Sequence, residues 1–132
     1  MRNFYTLCLL TGVLAVASHA AEGGREATLP PPSSQAGVTF DKDIKPLFEK
    51  ACFKCHGPEK SKGKLRVDSL AAIQKGSEHG KILETGKSAT SKLVLAVARV
   101  DKEEAMPPKD KGNPLTKDEV GLIRAWIDQG TK

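Results

Sequence analysis

Two cysteines and a histidine stand within five positions at Cys52-Phe53-Lys54-Cys55-His56, inside the stretch "ACFKCHGPEKSKGKLR". No other feature narrows the possibilities as much, because few chemistries use two thiols and an imidazole at this spacing, and the compartment selects among them. The chain opens with Arg2, an apolar run from about Leu7 to Ala17, and Ser18-His19-Ala20 as a small-residue cleavage site. Residues 1–20 therefore read as a secretory signal peptide, which places the protein in the periplasm or otherwise outside the cytoplasm. The apolar run is shorter than the roughly 20 residues a spanning helix needs. No membrane span is expected after cleavage. Cys8 lies at the start of the apolar run rather than at its end, which argues against lipid attachment there. The mature chain then keeps Cys52, Cys55, His56, His79 and Met106 as its candidates for metal chemistry.

Residues 21–37 are rich in Gly, Ser and Pro, with a Pro30-Pro31-Pro32 run. This composition predicts a semi-extended linker with no core of its own, leaving residues 38–132 as the folded domain. Within that domain the spacing is helical. Ile44, Leu47, Phe48, Ala51 and Cys52 fall at i, i+3, i+4, i+7 and i+8, with Pro46 in or just before the first full turn. A short helix is expected at "VDSLAAIQKG", capped by Asp68 or Ser69 and ended by Gly76, and a third at "SATSKLVLAVARV", with Ser88 or Ser91 as caps. The fourth, "LTKDEVGLIRAWIDQG", carries a Thr116/Glu119 capping box, a face of Val120, Ile123, Trp126 and Ile127, and a stop at Gly130. Between the last two lies a charged, proline-bearing loop whose apolar residue is Met106.

The fold class is thus all-α, about four modest helices joined by long loops. Aromatic residues make up only 5% of the chain. Side chains alone would give a thin core for so much loop, and a large apolar prosthetic group would fill it.

Cys-x-x-Cys-His is the spacing of covalent c-type haem attachment. Two thiols add across the two vinyl groups, and the following histidine is held beneath the iron as proximal ligand. Three other uses fit less well. A structural zinc site wants four ligands, commonly as two spaced pairs, and here Cys55 and His56 are adjacent. A thioredoxin-like pair needs a strand-helix-strand context that is not found around residue 52. A structural disulfide across so short a loop closes little chain entropy and leaves His56 unexplained. One covalent haem c is the expected cofactor, on Cys52 and Cys55 with His56 on the iron.

The chain also resembles the class I c-type cytochromes, and specifically the planctomycete-type cytochrome c domain. The resemblance runs from Val38 to Gly130 and rests on "FDKDIKPLFEKACFKCHGPEKSKGKLRVDS", "SKLVLAVAR", "MPPK" and "LTKDEVGLIRAWIDQG" in this order. It implies a haem between the N- and C-terminal helices, with Met106 as second axial ligand. Elimination agrees, since Met106 is the sole thioether of the mature chain, although His79 stands as a rival in the polar turn "GSEHGK". The family pattern usually has Pro-Gly-x-Pro before the third helix. Here Thr85-Gly86-Lys87-Ser88 replaces it, and a more mobile loop is expected.

Lys64 and Arg66 are candidates for pairing with haem propionates, because a carboxylate out of water needs charged hydrogen-bond partners. From Asp41 to Arg66 eight basic residues face four acidic ones. Such a surplus around the attachment site would steer an acidic redox partner protein. Nucleic-acid binding fits the charge but not the export signal or the scarcity of aromatics. The expected function is one-electron transfer by a monomeric, non-enzymatic carrier. The alternative is a haem-based ligand sensor or peroxidase-like protein with an open sixth position; a zinc- or disulfide-stapled binding module is the third reading.

Overall fold

The computed structural model describes residues 28–132. The expected signal peptide, with Cys8, and the first part of the expected linker lie outside the described residues. Among the described residues the structure is helical, with isolated bridges at His56–Ser61 and Ser77–Gly80 and no sheet.

The first helical run is a single stretch of three pieces. A π-helical turn at Phe40–Ile44 leads into α1 (Lys45–Ala51), and Cys52, with φ −122°, separates α1 from the one-turn α2 (Phe53–His56). Pro46 sits in the first turn of α1, where its missing amide hydrogen costs no intrahelical bond. The run is closed at its start by Asp43, whose carboxylate accepts from the Thr39 amide at 2.8 Å and from Gln35 Nε2 at 2.9 Å. α3 (Leu70–Lys75) takes Ser69 as its cap, its Oγ accepting from the Ala72 amide at 3.2 Å, and ends at Gly76 with φ 85°. α4 (Lys92–Val97) follows a 3₁₀ turn at Ser88–Thr90, and α5 (Lys117–Asp128) opens on the Thr116/Glu119 capping box.

α5 supplies the centre of the core. Val120, Ile123, Trp126 and Ile127 are all fully buried, as their shared helical face predicts. The Trp126 ring lies 5.9 Å from that of Phe40, which meets Phe48 edge-on at 6.4 Å, so the first and last helices are joined through aromatic contacts. The chain end closes over this contact. Lys132 O accepts from Phe40 N at 2.6 Å and from Trp126 Nε1 at 3.2 Å.

Two segments differ from the sequence-based expectation. From Leu29 onward the stretch expected to be a linker without a core is a strap laid on α5. Leu29 is buried in the core, Ser33 N donates to Gly121 O at 2.9 Å, and Arg124 Nη1 donates to Pro30 O at 2.6 Å. The proline run suits this role, since an extended backbone leaves its carbonyls outward for a neighbouring helix to use. The loop at Thr85–Ser88, expected to be mobile without its prolines, is tied to the C-terminal segment instead. Gly86 N donates to Ile127 O at 2.9 Å, Thr85 Oγ1 meets Thr131 Oγ1 at 2.9 Å, and Ser88 bonds both oxygens of Asp128. Ser88 is therefore a buried bridge, also accepting from Arg124 Nε, rather than a helix cap. Ser91, the other candidate cap, makes no side-chain capping bond and donates its hydroxyl to Lys87 O at 2.8 Å.

Candidate functional site

The helical turn through α2 converts the motif's spacing into a shared face. Cys55 N and His56 N both donate to Cys52 O, at 3.0 and 2.9 Å, so residues 52, 55 and 56 cluster on one side of a single turn. The turn must end abruptly behind His56. A Cβ at Gly57 would stand 2.5 Å from Phe53 O, so a side chain there would push the turn open. Val67 N then donates to His56 O at 2.8 Å and draws the 65–67 segment alongside the motif.

These elements frame a cleft. A cavity of about 410 Å³ has Leu65, Val67, Ile82 and Leu93 on its apolar walls and Cys52, His56 and Met106 on its surface. A second recess of about 340 Å³, opening from Cys55, shares His56 and Met106 with the first. Volumes of this size lie in the range of cofactor sites.

Four side chains around the cleft are placed as attachment and ligating groups would be. Nδ1 of His56 is buried with no hydrogen-bond partner among the described residues, an arrangement that native structures rarely leave without a reason. Met106 is the exposed large apolar side chain among the described residues, 38% accessible, and lines the same cleft rather than the core. Cys52 and Cys55 are free thiols, and burial, with a smaller contribution from the neighbouring Cys55, pushes the Cys52 thiol up to about 11. The Cys52 sulfur thus stays a thiol at neutral pH and behaves as a small apolar group against the cavity wall. Among the described residues no three His, Cys, Asp or Glu side chains are assembled to hold a metal ion, so the four ligands of a structural zinc site are not brought together.

Apolar walls, two thiols at one edge, a half-buried imidazole with an unpartnered Nδ1 and a methionine lining the same cleft together fit a haem. Residues 52–110 match the family model for Planctomycete cytochrome C. Over these residues the chain is similar to this cytochrome c family. The matched segment spans the Cys-x-x-Cys-His turn, the cleft walls and the Met106 loop, and ends before α5. No curated protein and no solved structure matched. A cytochrome c domain implies covalently bound haem c, and the matched segment contains the Cys52-x-x-Cys55-His56 spacing.

The remaining candidates separate. His79 is exposed but borders both recesses, so the structure keeps it beside Met106 rather than away from it. Arg66 is engaged by Asp68 through two bonds, at 2.9 and 2.5 Å. This pairing raises the Arg66 pKa and lowers that of Asp68, and Arg66 does not line either recess. Lys64 is exposed and does not border either recess. Lys62, Lys92 and Lys111 do. Lys92 was within reach of sequence reasoning, since it stands one turn before Ala96 on the α4 face that lines the cavity. Lys111 lies within a long loop and carries no local signal.

Proposed function

We propose that the protein is an exported, single-haem electron carrier whose iron is held by His56 and Met106. The observation that carries this reading is the pairing of a half-buried imidazole, its Nδ1 buried and unpartnered, with the exposed Met106 on one largely apolar cleft beside two thiols. Bound haem supplies one-electron exchange at its iron. The chain's own residues do the rest. Cys52 and Cys55 anchor the group covalently, His56 is fixed by the α2 turn and by Gly57 behind it, and the apolar walls exclude water. Methionine opposite histidine favours the reduced state relative to two histidines and raises the potential. Partner proteins are met at the Cys55 side of the cleft, where Lys54, Lys62 and Lys111 form a cationic rim suited to an acidic surface.

Export fits both the family and the leader-like first 20 residues. No described helix is long and apolar enough to cross a membrane. The exposure of Met106 also favours one alternative, a sixth position that opens to small ligands. The deciding experiment is the visible spectrum of protein matured in a host that attaches c-type haem. Low-spin bands with the far-red methionine–iron band in the oxidised form support the carrier. High-spin iron that binds carbon monoxide in the resting protein supports the alternative, and a spectrum with no haem bands refutes both.

A further inference from the structure

The end of α4 breaks a backbone rule where the Met106 loop returns. Val100 N donates to Leu95 O and Arg99 N to Ala96 O, both at 3.1 Å, which is the paired closure of a Schellman turn with Arg99 in its left-handed position. Arg99 has φ 59°. Glycine is the usual residue there because it has no Cβ to crowd the backbone, so arginine holds the position at a conformational cost. Its side chain shows what the cost secures. Nη1 donates to Pro107 O at 2.7 Å, and on the other side of the same residue pair Met106 N donates to Ala96 O at 3.0 Å. The Ala96 carbonyl thus serves both the turn and the loop. Met106 is clamped from both flanks by the last turn of α4, within a loop, residues 98–116, that contains no helix.

We infer that Arg99 is the positioning residue for the sixth ligand: its guanidinium holds the Met106–Pro107 segment against α4 and keeps the thioether in the cleft. This rests on the reading of Met106 as an iron ligand. A cation at a helix C-terminus also interacts favourably with the helix dipole, and that purely structural role gives different results in the following test.

Haem-loaded wild type, Arg99→Gly, Arg99→Lys and Met106→Ala are compared by the methionine–iron band, by imidazole titration of the oxidised protein, and by guanidinium unfolding. Glycine relieves the backbone while removing the donor. Arg99→Gly should therefore keep or raise its unfolding midpoint yet lose most of the band and bind imidazole at least about tenfold more tightly, about 1.4 kcal/mol. Arg99→Lys, which retains a cationic donor, should fall between glycine and wild type. Wild-type band and imidazole affinity in Arg99→Gly would overturn the inference while leaving Met106 as ligand. A wild type with no methionine band, indistinguishable from Met106→Ala, would overturn both together.

Discussion

Gly121 lies inside α5, where replacing glycine by alanine ordinarily stabilises a helix by about 0.5–1 kcal/mol. Here the sign should reverse. An added Cβ would sit 2.7 Å from Pro31 O, a backbone atom that cannot rotate aside, and 3.5 Å from Ser33 N. Restoring an ordinary contact of 3.4 Å from 2.7 Å requires the strap to retreat by about 0.7 Å. That shift stretches the Ser33 N–Gly121 O bond of 2.9 Å and the Arg124–Pro30 bond of 2.6 Å. Overpacking of this kind costs about 1–3 kcal/mol. Set against the helix gain, Gly121→Ala should destabilise the domain by about 1 kcal/mol, or lower Tm by about 4–8 °C for a domain of this size. Deleting residues 28–34 removes the obstacle, and in that background the same substitution should stabilise. Guanidinium unfolding of the four haem-loaded proteins gives the coupling energy, expected at about 1–3 kcal/mol. A Gly121→Ala change that stabilises equally with and without the strap would refute the account of the strap as a packed element.

Met106→Ala should turn a low-spin oxidised spectrum high-spin and admit carbon monoxide to the reduced protein, while far-UV circular dichroism stays unchanged. Trp126→Ala removes a fully buried ring from the contact between the first and last helices and should cost about 3–5 kcal/mol in denaturant unfolding. Charge reversal of Lys54, Lys62 and Lys111 should slow reduction by an anionic donor and flatten the dependence of that rate on ionic strength; an unchanged salt slope would remove the cationic rim from the docking surface. The Thr39 amide, then Gln35 and Lys42, holds the Asp43 carboxyl below its ordinary value, and the Arg66 bond does the same for Asp68. A depressed carboxylate stabilises fully above its unfolded-state pKa and loses that contribution as pH falls through the folded value. The stability gap between wild type and Asp43→Asn should thus be flat above about pH 5 and close below about pH 4.

Features decided by neighbours along the chain were readable in the sequence. The Thr116/Glu119 box, the Ser69 cap, the stop at Gly76 and the α5 core face each need only local spacing, and each is present. The Cys-x-x-Cys-His turn belongs with them, because one helical turn suffices to gather its three side chains. Where a residue's partner is distant, its local role misled. Ser88 reads as a cap but is taken by Asp128 and Arg124, far along the chain. Pro30 reads as linker but accepts from Arg124. Arg66 reads as a propionate partner, and in this structure Asp68, two residues on, takes the Nε–Nη2 edge of its guanidinium. A buried serine bridge and a strap held by backbone carbonyls have no composition signature, since any residue supplies a carbonyl and the proline run signals only extension.

The ends of α3 and α4 show how local rules and the site are connected. Both helices close on a residue with positive φ, Gly76 at 85° and Arg99 at 59°. At Gly76 a Cβ would meet Gly80 O at 2.6 Å, so the chain has no room for anything but glycine, and local geometry accounts for the residue completely. At Arg99 a side chain is accommodated at a position whose turn would be better served by glycine, and backbone geometry alone does not call for arginine. What distinguishes the two ends is what they face. The α3 end meets the short Ser77–Gly80 turn, whereas the α4 end meets the segment that carries the thioether. Stability alone would favour glycine at both. On the proposal that Met106 is an iron ligand, the departure at Arg99 has a reason beyond the helix dipole, because the same side chain that carries the strained dihedral holds the Met106–Pro107 segment.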